Sequence, residues 1–113
     1  TELVRITSAG NLGVGTASPV NKLQINGSLG RNAPVTKTGN FTLADTENWL
    51  ICNGTGTITV TFPAASSWTG REVMIKTIAA FTVVSASSNV VPLAAGAWAT
   101  LVSDGTNWII MQA

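Results

Sequence analysis

Few groups in this chain could do chemistry. Its carboxylates are Glu2, Asp45, Glu47, Glu72 and Asp104, its one thiol is Cys52, and it has no histidine. Asp45 and Glu47 stand two apart and would share a face of an extended strand, a weak echo of the paired carboxylates of a glycosidase. The plainer reading is that they solvate a turn before Trp49. Cys52 ends the strand-like run Trp49-Leu50-Ile51-Cys52. With no histidine to act as its base, it reads as a buried inert thiol rather than a nucleophile, and a lone cysteine excludes an internal disulfide framework. Scattered carboxylates and one thiol do not make a metal centre. Gly13-Val14-Gly15-Thr16-Ala17-Ser18 has the outline of a dinucleotide-binding glycine run, but Pro19 and Asn21 follow it where a phosphate-holding helix would start. The sequons at Asn26, Asn40 and Asn53 have meaning only in a eukaryotic secretory pathway. Neither a cofactor nor catalysis is expected.

The aromatic residues point to binding instead. The chain has four tryptophans and no tyrosine. Trp49, Trp98 and Trp108 fall inside strand patterns and are expected to fill a core, where large aromatics contribute most. Trp68 lies in a loop. A flat ring there could stack on a sugar, with Asp104 and Asn107 as hydrogen-bonding neighbours at a loop tip, so Trp68, Asp104 and Asn107 form the candidate receptor-contacting set.

The elements that would carry these residues are strands. Thr57-Ile58-Thr59-Val60-Thr61-Phe62 alternates threonine with bulky apolar side chains, the period-two pattern of a half-buried strand. Similar runs occur at Phe41 to Ala44, Trp49 to Cys52, Glu72 to Thr77, Phe81 to Ser85, Asn89 to Leu93, Trp98 to Val102 and Asn107 to Met111. Short strands at intervals of roughly 8 to 12 residues, separated by turn formers, indicate a sandwich, barrel or roll. Asn53-Gly54 and Asp104-Gly105 suit tight hairpins, so the last two strands are expected to pair antiparallel. Pro63 to Trp68 is the one helix candidate, with proline suited to a first turn.

Residues 1–30 differ from the rest. Turn formers from Ser8 to Pro19 surround isolated apolar residues, and short strands are expected at Leu3 to Thr7 and Lys22 to Asn26. Its few large apolar side chains cannot offset the entropy of ordering the segment. It is expected to intertwine with copies of itself as a β stem. Residues 31–39, with little periodicity, read as a connector, and 40–113 as a β knob.

Only 10% of residues are charged, against roughly 25% in a typical soluble domain. A monomeric β-protein blunts its sheet edges with lysine, inward charge or proline. Here only Lys22, Lys37 and Lys76 serve, which points to homo-oligomerisation. The net charge of +1 is spread along the chain, so nucleic acid has no basic patch to bind. No apolar run reaches the roughly 20 residues of a membrane span.

Two stretches carry a resemblance. Arg5-Ile6-Thr7-Ser8-Ala9-Gly10-Asn11-Leu12-Gly13-Val14-Gly15-Thr16-Ala17-Ser18-Pro19 with Lys22-Leu23-Gln24-Ile25-Asn26-Gly27 closely resembles an element of phage tail fibres and tailspikes. The part from Phe62-Pro63-Ala64-Ala65 through Gly70-Arg71-Glu72-Val73-Met74-Ile75-Lys76 to Asp104-Gly105-Thr106-Asn107-Trp108 is similar to small β-domains that end many fibre proteins. The resemblance implies an all-β homotrimer with an intertwined N-terminal stem and a C-terminal β-sandwich or barrel-like knob. It also implies a place on the virion, synthesis in the bacterial host cytoplasm, attachment to other virion proteins through an upstream region, and contact with a host surface glycan or protein. In that family a self-cleaving chaperone domain often follows the first element, and none follows Ala113; its removal, or trimerisation through the knob alone, accommodates this. Alternative expectations are a capsid head fibre or decoration protein, or a fragment of a glycan-cleaving tailspike.

Overall fold

A computed structural model describes residues 3–85, 94 and 96–112. The chain divides into two compact units, Thr1–Arg31 and Asn32–Ala113. Among the described residues the regular structure is β throughout, apart from one 3-10 turn over Ala65–Ser67. The expected strand over Asn89 to Leu93 lies outside the described residues.

The first unit is a three-stranded sheet of β1 (Val4–Ile6), β2 (Leu12–Val14) and β3 (Leu23–Ile25). β1 pairs antiparallel with β2 through a turn closed by Gly10 at φ 81°, and β2 pairs parallel with β3. β2 falls within the stretch expected to be mostly turns. Its central Gly13 is buried, and a methyl group there would run into the Thr16 carbonyl, so this glycine permits the close return of the chain. Gly13 and Gly15 thus belong to a strand and a turn, and no helix follows them. The sheet buries almost nothing apolar: Leu3, Val4, Leu23 and Leu29 are exposed, and Ile6 and Val20 are 75% and 79% accessible.

The second unit contains β4 (Val35–Lys37), β5 (Phe41–Thr42), β6 (Trp49–Cys52), β7 (Ile58–Thr61), β8 (Glu72–Thr77), β9 (Val83–Ser85), β10 (Trp98–Ser103) and β11 (Trp108–Gln112). One sheet has the order β11-β10-β8-β6-β4 and the other the order β5-β7-β9. β4, β6 and β8 run parallel to one another, as do β5, β7 and β9. Parallel neighbours need a crossover, and here each crossover is a strand of the opposite sheet, so from β4 to β9 the chain winds as a flattened coil. β10 and β11 end it as antiparallel strands joined at Asp104-Gly105, as the turn chemistry predicts.

Two expectations are corrected. Residues 31–39 are not a bare connector, because β4 forms an edge of the five-stranded sheet on β6. Asn53-Gly54 does not close a hairpin. β6 and β7 lie in different sheets, and Gly54 lacks positive φ; a methyl there would crowd the Thr38 carbonyl and the Ile58 side chain at 3.1 Å.

The core forms between the inward rows of the strands. β8 alternates strictly, with Val73, Ile75 and Thr77 inside and Glu72, Met74 and Lys76 outside. Ile58 and Val60 of β7 and Val83 of β9 join Leu50, Cys52, Ala99, Leu101 and Trp108 in one buried cluster. Two expected core tryptophans are not there. Trp49 and Trp98 are exposed, each one residue out of phase with the buried Leu50 and Ala99 beside it.

Candidate functional site

A cleft among the described residues lies where the β10–β11 hairpin meets the segment after β7. Phe62, Pro63 and Ser66 face Gly105, Asn107 and Trp108 across a cleft of about 320 Å³. The hydroxyl of Ser103 donates to the Ala65 carbonyl, and Trp108 Nε1 donates to the Pro63 carbonyl at 2.8 Å. These bonds bind the 3-10 turn to the hairpin and satisfy the buried indole N–H, which would otherwise be costly.

The hairpin tip is shaped by Asp104. Its Oδ1 accepts from the backbone N–H groups of Asn107 at 2.7 Å and Thr106 at 2.8 Å, while Gly105 takes φ 94°. Those bonds, that of Asn107 first, hold the Asp104 carboxyl below its ordinary value, because amide donors favour the charged form. The carboxylate therefore builds the turn that presents the exposed Asn107.

Beneath the cleft is an aromatic stack. The Phe62 and Trp108 rings lie 5.3 Å apart, and Trp68 meets Trp108 edge-on at 5.8 Å. Of the candidate contact residues, Asp104 and Asn107 come together at the exposed tip, but Trp68 does not join them. It is buried, with the Arg71 guanidinium 4.0 Å from its ring centre. Half-buried Phe62 supplies the aromatic surface of the cleft instead, backed by the buried Trp108. Phe62 was recognisable in principle, because it continues the Ile58, Val60 phase.

The lining combines apolar rings with hydroxyl and amide groups, and no lining residue is ionisable. Such a surface can stack against the flat face of a neutral polar ligand and hydrogen-bond its rim.

The carboxylates and thiol considered for catalysis are engaged elsewhere. Asp45 pairs with Arg71 at 3.0 Å. Glu47 is buried; its Oε1 accepts from the Ala44 N–H at 2.8 Å, and its Oε2 stands 2.7 Å from Lys37 Nζ. That second contact has ion-pair proximity without hydrogen-bond alignment. Lys37 also lies 4.9 Å from the Phe41 ring centre. Burial pushes the Cys52 thiol up to about 11, with Lys37 opposing, so it is protonated at neutral pH and poorly nucleophilic. Among the described residues no cluster of potential metal ligands occurs, and no helix is long and apolar enough to cross a membrane.

Comparison with known proteins gave no match among family models, curated proteins or solved structures.

Proposed function

We propose that this chain is a structural and adhesive component of a phage fibre, assembled as a homotrimer on the virion. Residues 1–31 would form the shared stem and residues 32–113 the knob. The observation that carries this reading is the first unit's exposed apolar surface. A sheet of three-residue strands with Leu3, Val4, Ile6, Val20, Leu23 and Leu29 open to water gains too little burial to stay ordered alone. Sister chains supplying the same side chains around a common axis would cover it.

Adhesion is assigned to the cleft beside Asn107, which fits a neutral sugar of a host surface glycan. Three such sites on one stiff axis would convert weak single contacts into avidity.

Light scattering on the full chain tests the assembly, with three times the chain mass expected; a monodisperse monomer at high concentration would overturn it. A glycan array tests adhesion. Binding should weaken at least about tenfold in Asn107→Ala, which removes a polar rim contact, and equal binding by that variant would remove the cleft from the proposal.

A further inference from the structure

The outward face of the five-stranded sheet carries a continuous apolar patch. Trp49, Met74 and Thr100 are direct partners across β6, β8 and β10, so their side chains share one row on one face. Ile51, Lys76 and Trp98 form the row to one side, and Glu72, Val102 and Ile109 the row to the other. The outward face of a solvated sheet normally carries polar side chains. Here the only ionisable members of the three rows are Glu72 and Lys76.

Trp49, Met74, Trp98 and Ile109 are 42%, 37%, 37% and 38% accessible. With side chains of roughly 150–250 Å² each, they leave on the order of 300 Å² of apolar surface open. Half-buried Ile51 and Val102 extend it. Interfaces are roughly 57–65% apolar, so this is the apolar content of a patch of about 460–530 Å², more than half of the roughly 800 Å² each partner gives to a stable association.

We infer that this face turns towards the trimer axis, where the knob packs against the same face of its two sister copies. The inference deepens the assembly proposed above, and rests on that reading for the identity of the occupant. Charge supports a copy over a strongly ionised partner. Glu72 and Lys76 cancel across the face, so neither an acidic nor a basic surface finds a complement there. A sister knob brings the same neutral, tryptophan-rich face, and aromatic residues with methionine are the types enriched at interface centres.

The test is sedimentation velocity on the full chain over a dilution series, with Met74→Arg and Ile6→Asp measured separately. Met74 is exposed in the isolated chain, so Met74→Arg should keep the wild-type far-UV circular dichroism while weakening association about 30-fold or more, as for loss of a central interface contact. Unchanged association by a folded Met74→Arg would overturn the inference. If Ile6→Asp alone dissociates, the stem reading stands and the knob interface falls; if Met74→Arg alone dissociates, the reverse holds. Should Met74→Arg fail to fold, acrylamide quenching of the associated wild type decides. Trp49 and Trp98 are expected to be shielded, and quenching of about half the tryptophan emission, from two exposed indoles of four, would refute their coverage.

Discussion

Replacing Arg71 separates backbone capture from surface ion pairing in the second unit. Its guanidinium donates to the Asp45 carbonyl at 2.8 Å and to Asn48 Oδ1 at 3.1 Å, pairs with the Asp45 carboxylate at 3.0 Å, and stacks on Trp68. Arg71 thereby fastens the turn between β5 and β6 over the aromatic stack. The Asp45 side chain is 88% exposed, so its ion pair should contribute less than about 0.5 kcal/mol. The stacking contributes about 1 kcal/mol, and two charge-assisted bonds, one to the exposed Asp45 carbonyl and one to the part-buried Asn48 amide, add about 1–2 kcal/mol after competition with water. Arg71→Met should therefore destabilise by about 2–3 kcal/mol and Asp45→Asn by almost nothing. Arg71→Lys should recover less than half, because an ammonium cannot reproduce the planar fork. Urea denaturation of the full chain at one fixed concentration, followed by tryptophan fluorescence, would show the Arg71→Met midpoint lowered by about 1–2 M. An equal loss in Asp45→Asn would refute this reasoning, since it would assign the work to the exposed ion pair.

Val60→Asp or Ile58→Asp places an unpaired charge in the core and should cost more than about 4 kcal/mol; unchanged thermal melting would reject the inward assignment of β7. Lys37→Met leaves Glu47 buried without its cation and should cost about 3 kcal/mol, with part regained when Glu47→Leu is added, as melting of the single and double variants would show. Cys52 should resist a disulfide reagent until the chain unfolds, and rapid reaction under native conditions would contradict its burial. Its raised folded value means the native state holds the thiol proton more tightly than the unfolded state. That contribution is complete below about pH 9 and is lost as pH rises towards 11, so thermal stability should fall across this interval and a Cys52→Ala variant should lack that component.

The strands with strict alternation were legible because burial of one face dictates period two. β7, β8 and β10 appear where Ile58-Thr59-Val60, Val73-Met74-Ile75 and Trp98 to Val102 place them. β4 was hidden because Val35-Thr36-Lys37 offers one apolar side chain, and its place on the sheet edge comes from backbone pairing with β6. The parallel winding was hidden as well. Asn53-Gly54 has the chemistry of a tight turn, yet its glycine is needed for space beside Thr38 and Ile58 rather than for dihedral freedom. The tryptophans show phase prevailing over size. Leu50 and Cys52 face inward, so the pleat sends Trp49 outward whatever its bulk. At the candidate site, the Asp104-Gly105 turn was readable from local chemistry, whereas the burial of Trp68 depends on Trp108, which reaches it from the far hairpin, as well as on Arg71 three residues on.

The coiled winding also gives the second unit a direction. Each rung from β4 to β9 leans mainly on the rung before and after it, and the terminal hairpin lies at one end of this ladder while β4 marks the other. Fraying should begin at the β4 end, where a three-residue strand has a neighbour on one side only, and travel inward rung by rung. Removing one whole rung would shorten such a ladder and preserve its pattern, whereas cutting through the hairpin would take away the piece that fastens its last rung.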